Sequence, residues 1–157
     1  MAVENSPGIR WPPPLLFVVG LGAAWFLNRQ LTFEIDGAGA GWPQIILGAL
    51  LLLTGLALIT WGASTLLRAG TALRPDRPAT RLVVEGPYRF TRNPIYLGFT
   101  AAYVGVAIVT NAAWPIVLLP VVLITLTVTA IEHEERYLLA TFGDAYGEYS
   151  RRVRRWL

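Results

Sequence analysis

From Asn93 to Ile131 the chain runs for 39 residues without a formal charge. A helix rises about 1.5 Å per residue, so this stretch is roughly twice what is needed to cross a hydrocarbon layer of about 30 Å. One ordinary crossing is too short for it, and two fit. The natural break is Asn111-Ala112-Ala113-Trp114-Pro115, where Asn and Pro favour a turn and Trp prefers a membrane interface. The pattern therefore predicts a helical hairpin, Pro94 to Thr110 and Trp114 to Ile131. A second run, Ile45 to Leu67, gives 23 uncharged residues and a further span.

Composition points the same way. Of the 157 residues, 54% are hydrophobic and 15% charged, whereas soluble domains carry about 25% charged residues. A fourth candidate is Leu15 to Leu27, which reaches spanning length when Pro12 to Pro14 and the stretch to Phe33 lie in or near the interface. A signal peptide is the competing reading of that segment, since Arg10 precedes the apolar run, but no convincing small-residue cleavage site follows Leu27. The expected fold is all-α: a single polytopic membrane helical bundle over 1–157. Its four spans fall near 14–33, 45–67, 94–110 and 114–131, followed by a tail, 132–157, with an amphipathic helix.

All 13 basic residues are Arg, and the net charge is +3. Six lie between Arg68 and Arg92 and five in the tail, while the Asn28–Gln44 connection holds only Arg29 and the Asn111 turn none. By the positive-inside bias, the central loop and both termini face the cytoplasm. Membrane topology explains these arginines better than nucleic-acid binding does, so no nucleic-acid partner is expected. The chain has no Cys and one His. Cysteine nucleophiles and thiolate or multi-histidine metal sites are excluded. The glycine-rich Gly37–Gly41 follows no strand and reads as a flexible connection.

Two cytoplasmic motifs stand out. The first is Glu85-Gly86-Pro87-Tyr88-Arg89-Phe90-Thr91-Arg92-Asn93-Pro94-Ile95-Tyr96-Leu97-Gly98. Pro94 suits the first turn of a helix, whose free amides and positive dipole end, with Arg89 or Arg92 beside them, suit a ligand carboxylate. The second is Glu132-His133-Glu134-Glu135-Arg136 at the predicted end of the fourth span. Three carboxylates at a helix C-terminus oppose the macrodipole, and a nearby cationic ligand would account for them. The bland readings are topology-fixing arginines and a solvated helix extension. Gly98 and Glu134 lie 36 positions apart, and a down-and-back hairpin returns both motifs to one face. Together they offer anion- and cation-binding groups for a zwitterionic cofactor beside a greasy substrate. In the tail, Tyr146, Tyr149, Val153 and Trp156 would share a helix face, with most of the Arg151–Arg155 cluster, Arg155 included, facing anionic lipid and one arginine of the cluster left free to turn inward.

The segments Gly86-Pro87-Tyr88-Arg89-Phe90-x-Arg92-Asn93-Pro94-x-Tyr96-x-Gly98, Glu134-Glu135-x-x-Leu138 and Phe142-Gly143-x-x-Tyr146-x-x-Tyr149-x-x-Arg152-Val153 resemble the isoprenylcysteine carboxyl methyltransferase and phospholipid N-methyltransferase group of integral membrane enzymes. The resemblance covers about the C-terminal half. It implies an S-adenosylmethionine (SAM) site at the cytoplasmic mouth of the bundle and a lipophilic methyl acceptor entering from the bilayer. Arg92, Asn93, Pro94, Tyr96 and Gly98 would enclose the cofactor, with Gly86, Pro87 and Tyr88 at its rim. Glu134 and Glu135 would lie near its ammonium or sulfonium end, and Arg152 joins them as a candidate catalytic residue. The group usually has His where this chain has Asn93, which hydrogen-bonds but exchanges no proton near neutral pH. A reductase related to sterol reductases, using NADPH, and a non-catalytic accessory protein are the competing functions.

Overall fold

The computed structural model describes residues 11–71 and 78–157, so Arg74 and Arg77 of the central loop lie outside the described residues. Among the described residues the structure is helical: α1 (Leu15–Gln30), α2 (Trp42–Arg68), α3 (Pro94–Val109), α4 (Trp114–Leu126), α5 (Glu132–Phe142) and α6 (Asp144–Arg152). A 3-10 turn, Gly86–Arg89, precedes α3, and a π turn, Thr127–Ile131, joins α4 to α5. Prolines near the starts of α2, α3 and α4 occupy positions whose amides lack an intrahelical partner in any helix.

Two helices, Trp42–Arg68 and the continuous Trp114–Phe142, are long and apolar enough to cross a membrane. α1 and α3 are apolar but have 16 residues each, about 24 Å of rise. Large apolar side chains face outward on α1 (Val18, Trp25), α2 (Leu50, Leu53) and α4 (Val121, Ile124). Such a surface is costly in water and neutral against lipid.

Glycine spacing brings α2 and α3 together. Gly48, Gly55 and Gly62 recur every seventh residue on the buried face of α2. A Cβ on Gly55 would stand 2.5 Å from the Gly98 carbonyl oxygen, and one on Gly105 would stand 2.6 Å from the Leu52 nitrogen. The backbones therefore touch, as membrane helices do where small residues align. α1 lies over α3 and α4, stacking Phe17 on Phe99 at 5.6 Å and edge-on to Tyr103 at 6.0 Å. Tyr96, Val122, Leu126, Ala130 and Ile131 complete that core.

The hairpin turn falls at Asn111, which adopts φ 52°. Its side-chain oxygen accepts from the Asp36 amide at 3.0 Å and from Gln44 at 2.9 Å, and its Nδ2 donates to the Asp36 carbonyl at 2.8 Å. Trp114 donates its indole N–H to the Leu31 carbonyl at 2.8 Å. The glycine-rich connection, read above as flexible, is thus pinned at its start by Asp36.

Two sequence expectations need correction. The helix does not end near Ile131: it continues to Phe142, so Glu132, Glu134 and Glu135 begin α5 rather than opposing a helix C-terminus. The amphipathic helix is also shorter than its apolar spacing implied. α6 stops at Arg152, and Val153 is extended with φ −114° and ψ 127°. The reason lies in the next site, where other residues bind this backbone.

Candidate active site

The 3-10 turn at Gly86–Arg89 seats the first motif against α2. Gly86 needs its glycine: φ is +58°, and a Cβ would stand 3.0 Å from the Thr65 hydroxyl. Pro87 and Tyr88 are buried behind it. The Tyr88 carbonyl accepts the Tyr149 hydroxyl at 2.8 Å, which locks α6 onto the turn. Burial, reinforced by the neighbouring Tyr149, pushes the Tyr88 hydroxyl above the ordinary phenol range. Burial does the same to Tyr149, which therefore donates as a neutral hydroxyl.

The two distant motifs meet. Tyr96 donates its hydroxyl to Glu134 at 2.6 Å, across 38 positions of sequence. Arg92 pairs with Glu135 at 3.0 Å, and Arg155 grips the same carboxylate with both Nε, at 3.1 Å, and NH2, at 2.6 Å. These three side chains are 16%, 18% and 33% exposed, for Arg92, Glu135 and Arg155. The pair is thus largely withdrawn from water, and its attraction is less screened than that of a surface ion pair. The hydrogen bonds to Glu135 raise Arg155 further above its usual range, so it stays charged.

The segment after α6 crosses the first motif. Arg92 donates its amide to the Arg154 carbonyl at 2.9 Å, while the Thr91 hydroxyl and the Asn93 side-chain amide both reach the Arg155 carbonyl at 3.0 Å. These bonds require an extended backbone, which is why α6 does not continue. Asn93 is buried and serves as a donor to this segment. An open cleft of about 360 Å³ lies alongside, lined by Arg92, Glu132, Glu135, Arg136, Leu139, Tyr146, Ser150 and Arg155. Its size is at the low end for small-molecule sites, about 300–1,000 Å³.

All the expected site residues except Gly98 and Arg152 fall into three groups. Arg92 and Glu135 line the cleft; Tyr96 and Glu134 pair beside it; Gly86, Pro87, Tyr88, Asn93 and Pro94 form the packed turn behind. Gly98 faces elsewhere: a Cβ there would stand 2.7 Å from both the Gly55 oxygen and Ile59, in the seam with α2. It lies two residues from Tyr96, about 200° around the helix. Arg152 is exposed and does not line the cleft. Arg155, assigned from sequence to the lipid surface, occupies the cleft instead. Tyr146 and Ser150 also line it, and their spacing of four on α6 is the one sequence signal that would have paired them.

The donor set suits a ligand that carries an α-amino acid group. Glu135 can receive an ammonium, and Arg92, Arg155, Ser150 and Tyr146 offer donors to a carboxylate. The buried Arg92 Nε has no partner among the described residues, leaving one strong donor to be satisfied.

A family model described as phospholipid methyltransferase matches residues 43–145. Protein-S-isoprenylcysteine O-methyltransferase B of Arabidopsis thaliana is 32% identical over 141 residues, covering 88% of this chain and 63% of its own length. Methanethiol S-methyltransferase 1 of Bradyrhizobium diazoefficiens is 36% identical over 84 residues, 54% of this chain and 27% of its own length. The chain thus spans less than two thirds of either relative. Neither relative is a reductase by name, so the comparisons lend the sterol-reductase alternative no support. No solved structure matches the chain.

Proposed function

The chain belongs to the phospholipid methyltransferase family, and on that premise we propose that it is a multi-pass membrane enzyme that methylates a lipophilic small molecule or lipid, with SAM as donor. The observation that carries this reading is the convergence of Arg92, Glu135 and Arg155 beside Tyr96–Glu134. A carboxylate flanked by two guanidiniums is the arrangement an α-amino acid group needs, since each of its charges finds an opposite one.

When bound, the cofactor supplies an electrophilic methyl group on a sulfonium. The chain's residues supply position and a sheltered site, which is what an in-line displacement with dispersing charge requires. Arg92 and Arg155 hold the carboxylate end and Glu135 the ammonium. The ring of Tyr96, beside Glu134, would stabilise positive charge there. Glu134, held by the Tyr96 hydroxyl, is placed to accept a proton from an N–H or S–H acceptor. A carboxylate acceptor arrives ionised and needs aiming only. Asn93 takes no part in proton transfer.

In this reading all four apolar helices cross the bilayer as one domain, α1 and α3 with interfacial flanks, and the arginine-rich end faces the cytoplasm. The acceptor reaches Tyr96 and Glu134 from the lipid side. Calorimetric titration of the detergent-purified chain with SAM, S-adenosylhomocysteine and NADPH tests the cofactor, and transfer of labelled methyl from SAM into a lipid extract tests turnover. Binding of the first two and labelling of an organic-soluble product are expected. Preference for NADPH, or binding of none of the three, refutes the reading.

A further inference from the structure

Glu135 already has two positive partners. It accepts from Arg155 Nε and Arg155 NH2, and Arg92 NH1 stands 3.0 Å away as an ion pair. A ligand ammonium that pairs with this carboxylate competes with both guanidiniums, and the two acceptor positions held by Arg155, of about four, are freed only if it lets go. Arg92 also meets the Tyr146 hydroxyl, at 3.4 Å, and is the less exposed of the two. The Arg155 side chain has Glu135 as its sole hydrogen-bond partner among the described residues and is twice as exposed.

The root of Arg155 is nevertheless fixed. Its carbonyl accepts from Thr91 and Asn93, the preceding carbonyl accepts from the Arg92 amide, and Trp156 packs against the bundle core. A side chain with an anchored backbone and one displaceable partner can change partners without moving the chain. Resting on the cofactor reading above, we propose that Arg155 is an exchangeable counter-ion that selects ligands carrying a whole α-amino acid group: it holds Glu135 in the free protein and the ligand carboxylate when the ligand ammonium takes Glu135.

Charge bookkeeping explains the selectivity. A ligand with both groups replaces one ion pair by two. A ligand with the ammonium alone strands Arg155, and one with neither group gains nothing by opening the pair. Three probes separate these cases: S-adenosylhomocysteine carries both groups, its decarboxylated analogue the ammonium alone, and methylthioadenosine neither.

The test is calorimetric titration of the full chain in detergent, as wild type, Arg155→Ala, Arg155→Lys and the exposed control Arg151→Ala, with folding checked by thermal unfolding without ligand. Wild type should prefer S-adenosylhomocysteine over the decarboxylated analogue by about tenfold or more, the scale of a charge-assisted hydrogen bond. Arg155→Ala should remove most of that preference, leaving only what Arg92 supplies, by weakening the first probe while leaving the second unchanged or tighter, because Glu135 is freed. Arg155→Lys keeps the charge and loses the fork, so the preference should shrink and keep its sign. Equal loss for both probes, or no change in either, overturns the exchange and leaves the cofactor reading standing. Failure of wild type to bind any probe overturns both.

Discussion

Replacing Gly55 by Ala adds one methyl group at the closest approach of α2 and α3. The new Cβ would lie 2.5 Å from the Gly98 oxygen, 2.6 Å from the Ala102 nitrogen and 3.0 Å from the Ala102 Cβ. Two of these neighbours are backbone atoms and cannot rotate away. Restoring ordinary contact needs the helices to separate by about 1 Å, and a gap of that size forfeits a quarter to a half of each van der Waals well along the seam. Spread over a few dozen atom pairs, the loss is about 2 kcal/mol, within the range of overpacked cores. Ala gains up to ~1 kcal/mol over Gly in a helix, so the net destabilisation is about 1 kcal/mol. Gly22 in α1 provides the matched control, because a Cβ there meets nothing within 4 Å. Gly22→Ala keeps the helix gain and is neutral to stabilising. The two variants should differ by about 2 kcal/mol, or about 4–8 °C in melting temperature for a chain of this size. The chain's six Trp residues report unfolding in detergent by intrinsic fluorescence. Because α3 carries Tyr96 and follows Arg92, Gly55→Ala should also weaken S-adenosylhomocysteine binding. A Gly55→Ala protein that melts with or above Gly22→Ala would refute the close-packed seam.

Glu135→Gln leaves two half-buried guanidiniums without a counter-charge; allowing for their partial exposure, melting should report a loss of about 1–3 kcal/mol, and S-adenosylhomocysteine affinity should fall about tenfold. Tyr96→Phe removes the 2.6 Å bond to Glu134 and should lower kcat about tenfold while leaving cofactor affinity within about twofold, so an affinity loss larger than the rate loss would count against its place on the acceptor side. Asn111→Ala strands Asp36 and Gln44 at the opposite end of the bundle and should lower the melting temperature by the equivalent of about 1–3 kcal/mol without changing ligand affinity. Since the chain has no Cys, single cysteines are unique labels: Val84→Cys and Leu139→Cys should react from one side of an oriented membrane and Gly37→Cys from the other, and labelling of all three from the same side would refute the crossing of the bilayer.

The positions of the apolar helices were legible in the sequence because apolar length and the lack of charge are properties of consecutive residues. The Asn111 break is equally local: Asn tolerates φ 52°, and Pro115 sits in the first turn of the next helix, which begins at Trp114. Both polar motifs were legible as well, along with the return of the chain that makes them neighbours. Which side chains meet was not. Sequence distance does not encode the direction of a side chain around its helix, so Gly98, two residues from Tyr96, faces α2 instead of the cleft. Nor could the length of apolar runs show that α4 continues through a π turn into α5, where Glu134 and Glu135 acquire Tyr96, Arg92 and Arg155 as partners. The choice of Arg155 over Arg152 has the same origin. Helical spacing governs α6 only until the backbone of Arg154 and Arg155 finds donors on Thr91, Arg92 and Asn93. Those bonds join residues more than sixty positions apart, and only the packed bundle brings them within reach.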